Sequence, residues 1–338
     1  MTLNLNLPNG GYPIYIERGA LDRAGELFSL DRRVLIVTDS GVPASYATRV
    51  AEQCQTAHVV TVPEGEGSKS LATLELLLGE MLKNNFARTD CVVAVGGGVV
   101  GDLSGFAAST FMRGIDFYNI PTTVLSQVDS SIGGKVAVNF GGVKNIVGAF
   151  YQPKAVIVDP EVLSTLPKRQ IANGLAEAVK MSLTGDAELF ELFEKGEAIE
   201  SIDTVIERSL RIKKAVVEED ERESGIRRIL NFGHTLGHGI EGASEGKLYH
   251  GECVALGMLP MCSPDVRARL TSVLQSLGLP TKFEGDIETV LNLTTHDKKC
   301  EGTSVNAVFV DAVGSYRIQK MPLAEWQQYI REQIGGKP

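Results

Sequence analysis

Asn231, His234, His238 and Glu241 recur at steps of three, four and three, and His250 and Glu252 follow shortly after. Three of the chain's five histidines therefore fall inside one short stretch. On a helix of 3.6 residues per turn those steps return to one face, so an amide, two imidazoles and a carboxylate point the same way. A polar stripe among Phe232, Leu236 and Ile240 is costly to bury unless something satisfies it, and a divalent metal or a polar substrate does so. A lone histidine on an apolar face is most often a hydrogen-bonded core residue. Clustering with a third histidine and nearby carboxylates shifts the reading to a site. Spacing alone leaves both His234 and His238 open as ligands.

A second group lies upstream. Cys91–Val95 reads as a buried strand and runs straight into Gly96-Gly97-Gly98-Val-Val-Gly101-Asp102. Glycines let a backbone approach a phosphate, and the helix that follows offers free amides and a positive dipole end. The spacing is not the usual GxGxxG, so the loop alone balances a dinucleotide site against a structural turn. Pro63-Glu-Gly-Glu-Gly-Ser-Lys69 follows another strand and can add polar contacts or simply form a solvated turn. Further on, Thr122-Thr123, Asp129-Ser130-Ser131, Gly133-Gly134-Lys135, Val138-Asn139 and Lys144-Asn145 combine small residues with phosphate-binding cations and a hydroxyl-accepting carboxylate. Their density beside the glycine loop favours a ligand pocket.

The elements that must position these groups change in texture along the chain. Tyr12–Glu17, Arg33–Asp39, His58–Pro63, Cys91–Val95, Phe117–Ile120 and Ala155–Asp159 read as strands. They alternate with helical patterns such as Ser70–Asn85, whose apolar face is Leu71, Leu74, Leu77, Leu78, Met81 and Leu82. Such alternation implies an α/β domain, a mostly parallel sheet that binds ligands at the carboxyl ends of its strands. From about Pro160 the patterns are helical: Pro167–Thr184, Ala187–Glu194, Ile202–Val217, Leu230–Ala243, Gly251–Met261, Ser263–Leu277 and Leu323–Ile334, with a strand pair near Val305–Val310 and Ser315–Gln319. Two domains are expected, 1–160 and 161–338.

Composition excludes several classes. A net charge of -9 argues against a general nucleic-acid or membrane-surface binder, which needs a broad positive face. Five scattered cysteines without a CxxC pair read as reduced thiols, and no signal-like start or membrane-length apolar run is found. A cytoplasmic location is expected.

Taken in order, Gly96-Gly-Gly-Val-Val-Gly-Asp102, Val128-Asp-Ser-Ser-Ile-Gly-Gly-Lys135, Lys144-Asn145, Gly174-Leu-Ala-Glu177-Ala-Val-Lys180, Asn231-Phe-Gly-His234-Thr-Leu-Gly-His238 and His250-Gly-Glu252 resemble the 3-dehydroquinate synthases of the sugar phosphate cyclase family. The resemblance covers most of the chain. It implies an N-terminal Rossmann-like NAD domain, a mainly α-helical metal and substrate domain, and a homodimer with its active site in the interdomain cleft. It makes Glu177, His234 and His250 the ligands of zinc or cobalt and gives His238 to substrate contact and proton transfer. Lys180, Lys213, Arg227 and Asn231 join His238 as catalytic residues. Asp129, Lys135 and Asn145 bind substrate, and Arg113 reaches the neighbouring subunit's site. Glu66, Lys69, Gly98, Gly101, Asp102, Thr122, Thr123, Lys135 and Lys144 line the NAD site, with Asp39 and Thr165 beside them and Lys298 or Lys299 a further cation.

The implied reaction converts 3-deoxy-D-arabino-heptulosonate 7-phosphate to 3-dehydroquinate and phosphate in aromatic amino-acid biosynthesis. Alternatives are another sugar phosphate cyclase such as a 2-deoxy-scyllo-inosose synthase, a metal-dependent alcohol dehydrogenase that releases NADH, and a catalytically silent NAD-binding regulator. Two departures from the family pattern stand out. The segment from Gly257 to Leu277 is short, and Gly239 replaces the usual Ala, a change expected to loosen the helix.

Overall fold

The computed structural model describes residues 1–8, 10–223, 225–294, 300–301 and 304–335. The chain divides into two compact units, Met1–Pro167 and Lys168–Pro338. In the first, the elements run β1 (Thr2–Leu5), β2 (Tyr12–Ile16), α1 (Ala24–Leu27), β3 (Arg33–Asp39), α2 (Ala44–Ala51), β4 (Thr56–Val62), α3 (Leu71–Lys83), β5 (Cys91–Gly96), α4 (Gly98–Thr110), β6 (Asp116–Pro121), β7 (Lys135–Phe140), β8 (Val143–Phe150) and β9 (Ala155–Val158). Seven strands form one sheet in the order β1-β2-β9-β6-β5-β3-β4. Every pairing in it is parallel except β1 with β2.

The two-residue period of the strands divides the core. Leu35, Val37, Val92 and Ala94 pack with Leu77, Leu103 and Ala107 in one cluster. Their neighbours Val34, Ile36, Val93 and Val95 pack with Tyr46, Ala47 and Val50 in another. Strand β5, buried at every residue, is thus covered on both faces, as the centre of a parallel sheet requires. On α3 the buried face is narrower than the sequence pattern suggests: Leu74, Leu77 and Met81 are buried, whereas Leu71 and Leu82 are exposed. Those two lie about 90–105° around the helix from the buried centre, beyond the reach of the sheet.

An antiparallel hairpin, β7 with β8, stands outside the main sheet. Its inner residues Val136 and Val138 join the α4 side of the core. The sequence pattern marks this segment as ligand-binding and assigns it no strands.

The second unit carries α5 (Lys168–Gly185), α6 (Ala187–Glu194), α7 (Ile202–Glu219), α8 (His234–Ala243), α9 (His250–Met258), α10 (Pro264–Ser276), α11 (Ile287–Thr294), β10 (Cys300–Glu301), β11 (Ser304–Phe309), β12 (Arg317–Pro322) and α12 (Leu323–Gly335). The three strands form a small antiparallel sheet, which includes the expected strand pair.

The structure corrects two expectations. The helix anticipated over Leu230–Ala243 begins only at His234, because Gly233 takes a left-handed φ of 74° and Ile226–Asn231 forms a separate 3₁₀ turn. A Cβ at Gly233 would also meet Met258 Cγ at 2.6 Å and the Val254 carbonyl at 2.9 Å. Asn231 is therefore not on the histidine helix, and the stripe reduces to His234, His238 and Glu241. The helix anticipated over Gly251–Met261 starts at His250 and gives way after Met258 to a 3₁₀ turn containing Pro260, whose missing N–H cannot continue the ladder. Gly239 also has a packing role in α8. A Cβ there would lie 2.8 Å from the Val290 carbonyl on α11, so the glycine permits close packing of the two helices.

Candidate metal centre and nucleotide cradle

Helix α5 buries Glu177 and, one turn on, Lys180. Glu177 Oε1 lies 3.5 Å from His234 Nε2 at the start of α8 and 3.5 Å from His250 Nε2 at the start of α9. Its other oxygen forms an ion pair with Lys180. The far nitrogens of both rings are engaged. His234 Nδ1 is 3.1 Å from the Phe232 carbonyl, and His250 Nδ1 is 3.1 Å from Glu241 Oε2. With each Nδ1–H donated to those acceptors, both Nε2 atoms face Glu177 and can bind a metal once they carry no proton.

One donor atom from each of Glu177, His234 and His250 fits within a 4.8 Å set. Donors about 2.1 Å from a tetrahedral zinc sit about 3.4 Å apart, close to the two separations observed. The residues fit a divalent ion of the zinc or cobalt type, and three protein donors leave room for substrate oxygens. Burial opposes charge on His250, but its contacts with Glu177 and Glu241 outweigh that cost and push its pKa up to about 9. An incoming cation must displace that proton.

His238, one turn beyond His234, lies beside both His234 and His250, edge-on to the first and tilted to the second, with ring centres 5.5 and 5.8 Å away. Together with Glu241 and His250 it forms a second convergent set. The first set fits an ion better because Glu241 is already engaged with His250 Nδ1, and the His234 and His250 imidazoles aim at one Glu177 oxygen. Lys213 is buried on α7. Arg227 and Asn231 are tied to the turn that precedes α8: the Arg227 guanidinium donates to the Glu221 carbonyl, its amide donates to Asp220 Oδ2 at 3.1 Å, and Asn231 Nδ2 donates to Glu223 Oε1 at 2.7 Å. The sequence supplies Glu241 as a member of the stripe but not its orienting role, which depends on contact with a different helix.

In the first unit, Gly97 caps α4 without a side-chain bond, leaving the amides of its first turn open. The Thr122 amide donates to the Gly96 carbonyl at 2.9 Å, bringing the β6 end beside the loop, and Thr123 Oγ1 donates to Ser126 Oγ at 3.0 Å. Lys69, buried, forms an ion pair with Asp102. Asn139 joins several neighbours: its side chain donates to Glu66 Oε1 at 2.8 Å and accepts the Asn145 amide at 2.9 Å, and its own amide donates to the Lys69 carbonyl at 2.8 Å.

Glu66, Lys69, Asp102 and Asn145 are thus linked around Asn139 and the loop, and Asn139 is the residue whose role the sequence leaves undefined. Gly101, Asp102, Asn119, Ser130 and Lys135 line a recess beside them. Asp129 sits in the π-helical turn Ser126–Ser130, and Lys144 and Asn145 project from β8. Arg113 is exposed after α4, with φ of 69° following Met112 at 49°. Asp39 at the end of β3 accepts the Gly41 amide, and Thr165 meets the Tyr46 hydroxyl. Lys298 and Lys299 lie outside the described residues.

A parallel-sheet unit followed by a mainly helical unit is the fold of the sugar phosphate cyclases. A 2-deoxy-scyllo-inosose synthase complexed with carbaglucose-6-phosphate, NAD+ and Co2+ superposes with a TM-score of 0.89 at 26% identity, covering 98% of this chain and 100% of that one. The 2-epi-5-epi-valiolone synthase of Streptomyces hygroscopicus subsp. jinggangensis 5008, with NAD+ and Zn2+ bound, gives 0.86 at 26% identity, covering 96% and 97%.

Within that class the chain belongs to the 3-dehydroquinate synthase family. The family's N-terminal model matches residues 59–173 and its C-terminal model residues 174–300. A 3-dehydroquinate synthase of Streptococcus sanguinis is 42% identical, covering 98% of this chain and all of the relative, and one of Streptococcus pneumoniae is 41% identical over 98% and 99%.

Proposed function

We infer that this enzyme converts 3-deoxy-D-arabino-heptulosonate 7-phosphate to 3-dehydroquinate and phosphate. The observation that carries the reading is 42% identity to a 3-dehydroquinate synthase along essentially the whole chain. The solved inosose synthase is only 26% identical, which favours the heptulosonate over its substrate. NAD, when bound, takes a hydride from a substrate carbinol and later returns it, while a zinc or cobalt ion acidifies the hydroxyl being oxidised.

Glu177, His234 and His250 hold the ion, and Lys180 balances the charge of Glu177. The Gly98 and Gly101 backbone receives the cofactor pyrophosphate, with Glu66, Lys69, Asp102, Thr122, Thr123 and Lys144 around it. Asp129, Lys135, Asn145 and Arg113 bind the substrate's hydroxyls and phosphate. Lys213, Arg227 and Asn231 recognise its carboxylate end. Once the carbinol is a ketone, the adjacent C–H is acidic and phosphate leaves by β-elimination, its own oxygen taking the proton. Cationic side chains stabilise the negative charge, and His238 moves protons at the substrate hydroxyls. Re-reduction, ring opening and intramolecular aldol closure complete the carbocycle.

The test supplies metal-loaded protein with the heptulosonate phosphate and NAD well below one equivalent of substrate. Phosphate and cyclic product should accumulate in equal amounts over many turnovers. NADH building up in proportion to substrate instead identifies a dehydrogenase.

The homodimer expected of this family has support in the β7–β8 hairpin, where Phe140, Val143, Ile146 and Phe150 are all more than 40% exposed. An apolar strip of that kind suits a protein surface. Light scattering on Ile146→Lys/Phe150→Lys protein should show monomer, and an unchanged mass would remove this strip from the interface.

A further inference from the structure

Arg169, Asn173 and Glu177 stand four residues apart along α5, hence close to one face, and each holds part of the segment that begins α9. The Arg169 guanidinium grips Glu252 with both oxygens engaged, Nε to Oε1 at 2.6 Å and Nη2 to Oε2 at 2.8 Å. It also donates to the Lys247 carbonyl at 2.8 Å and lies 4.2 Å from the centre of the Tyr249 ring. Glu252 Oε2 in turn accepts the Tyr249 amide at 2.8 Å, closing a capping box around the first turn. One turn along α5, Asn173 Oδ1 accepts the Gly251 amide at 2.6 Å. The helices meet so closely there that a Cβ on Gly251 would stand 1.9 Å from the Asn173 carbonyl oxygen. Residues 249, 251 and 252 are therefore each fixed to α5, and His250 between them is the metal ligand.

We propose that Arg169 and Asn173 are positioning residues of the metal centre: through Glu252 and Gly251 they set the register of α9 against α5, and so the approach of His250 Nε2 to Glu177. The inference rests on the metal-site reading above. A planar two-pronged grip suits this task because it fixes orientation as well as distance, which a single ammonium contact does not. Glu241 fixes the rotation of the His250 ring, and the Arg169–Glu252 clamp fixes where its backbone stands.

The test is the affinity of the apoprotein for Zn2+, measured by competition with a chromophoric chelator, for wild type, Arg169→Gln, Arg169→Lys, Glu252→Gln and the Arg169→Gln/Glu252→Gln pair. Arg169→Gln should bind zinc about 10–100-fold more weakly, the loss typical of residues that orient a ligand. NAD affinity should be unchanged and kcat restored by raising free metal. The paired variant should lose no more than about twice what the worse single variant loses, because the two act as one unit. Wild-type zinc affinity in Arg169→Gln, or a zinc deficit matched by an equal NAD deficit, overturns the proposal. Should Arg169→Gln fail to fold, Arg169→Lys decides: it keeps the charge without the fork and should bind zinc about fivefold more weakly, and wild-type affinity in it counts against the clamp. Wild-type protein that takes up no stoichiometric zinc would instead remove the metal-site reading itself.

Discussion

The two units build their sites from opposite materials. In the first, the cradle is backbone: glycines at a strand end, uncapped amides of α4, and side chains such as Asn139 that mostly hold the loop and hairpin to one another. In the second, the site is three side-chain atoms brought together from α5, α8 and α9, each with its far side tied to a partner. A backbone site is sensitive to any atom added at its glycines. A side-chain site is sensitive to the identity of each donor and tolerates changes of bulk elsewhere. The two should fail independently, and substitution in one should leave the other's ligand bound.

The largest effect expected on this contrast comes from His250→Ala. Loss of a donor outright should weaken metal binding by more than the roughly 100-fold seen when only an orienting partner is lost, and activity should fall with it. NAD affinity should stay at the wild-type value. Metal analysis after dialysis and NAD titration by fluorescence measure both, and unchanged metal occupancy would remove His250 from the ligand set.

The reciprocal change is Gly96→Ala. A Cβ there would stand 2.6 Å from Val100 Cβ, so the first turn of α4 must move away from the strand. A shift of that kind should raise the NAD dissociation constant about tenfold, equivalent to about 1.4 kcal/mol, while zinc affinity holds. Loss of metal in this variant would show that the units are not independent.

The same contrast governs how far the amino-acid sequence alone reveals each site. The glycine cradle is partly legible because strand, loop and helix are contiguous, although the loop alone reads equally as a structural turn. The metal site is legible in its residue types, since histidines and a carboxylate on one helical stripe are hard to bury for any other purpose. Its membership is not, because periodicity favours His238 as much as His234, and the approach of Glu177 to His234 and His250 across three helices is the geometric ground for preferring His234. Asn231 falls on the helix in a 3.6-residue pattern because nothing in that pattern reveals that Gly233 turns left-handed. The β7–β8 hairpin is hidden for a different reason: Lys135, Asn139, Lys144 and Asn145 read as ligand residues and mask the alternation of Val136, Val138 and Val147. Yet Gly141-Gly142, both with positive φ, is a strong two-residue hairpin signal. The α5 clamp leaves only a four-residue spacing of Arg169, Asn173 and Glu177 in the sequence, and the partners that give it meaning lie about 80 residues away.

The smallest effect isolates charge in the side-chain-built unit from the geometry around it. Asp186 caps α6 by accepting the Leu189 amide at 3.0 Å and is gripped by Arg208 at 2.6 and 2.7 Å. Burial alone would raise its pKa, but Arg208 and the backbone donors prevail and hold the carboxyl below the usual carboxylate range. A depressed folded pKa means that the pair's contribution is complete above the unfolded value near 3.9 and is lost as pH falls through the folded one. Asn caps a helix about as well as Asp, so Asp186→Asn removes the charge and keeps the cap. The variant should be less stable by about 1 kcal/mol at neutral pH, a gap that stays flat down to about pH 5 and closes under stronger acid. Urea melts at stepped pH values measure it. A gap that persists unchanged to about pH 2 would assign the contribution to hydrogen-bond geometry and not to charge.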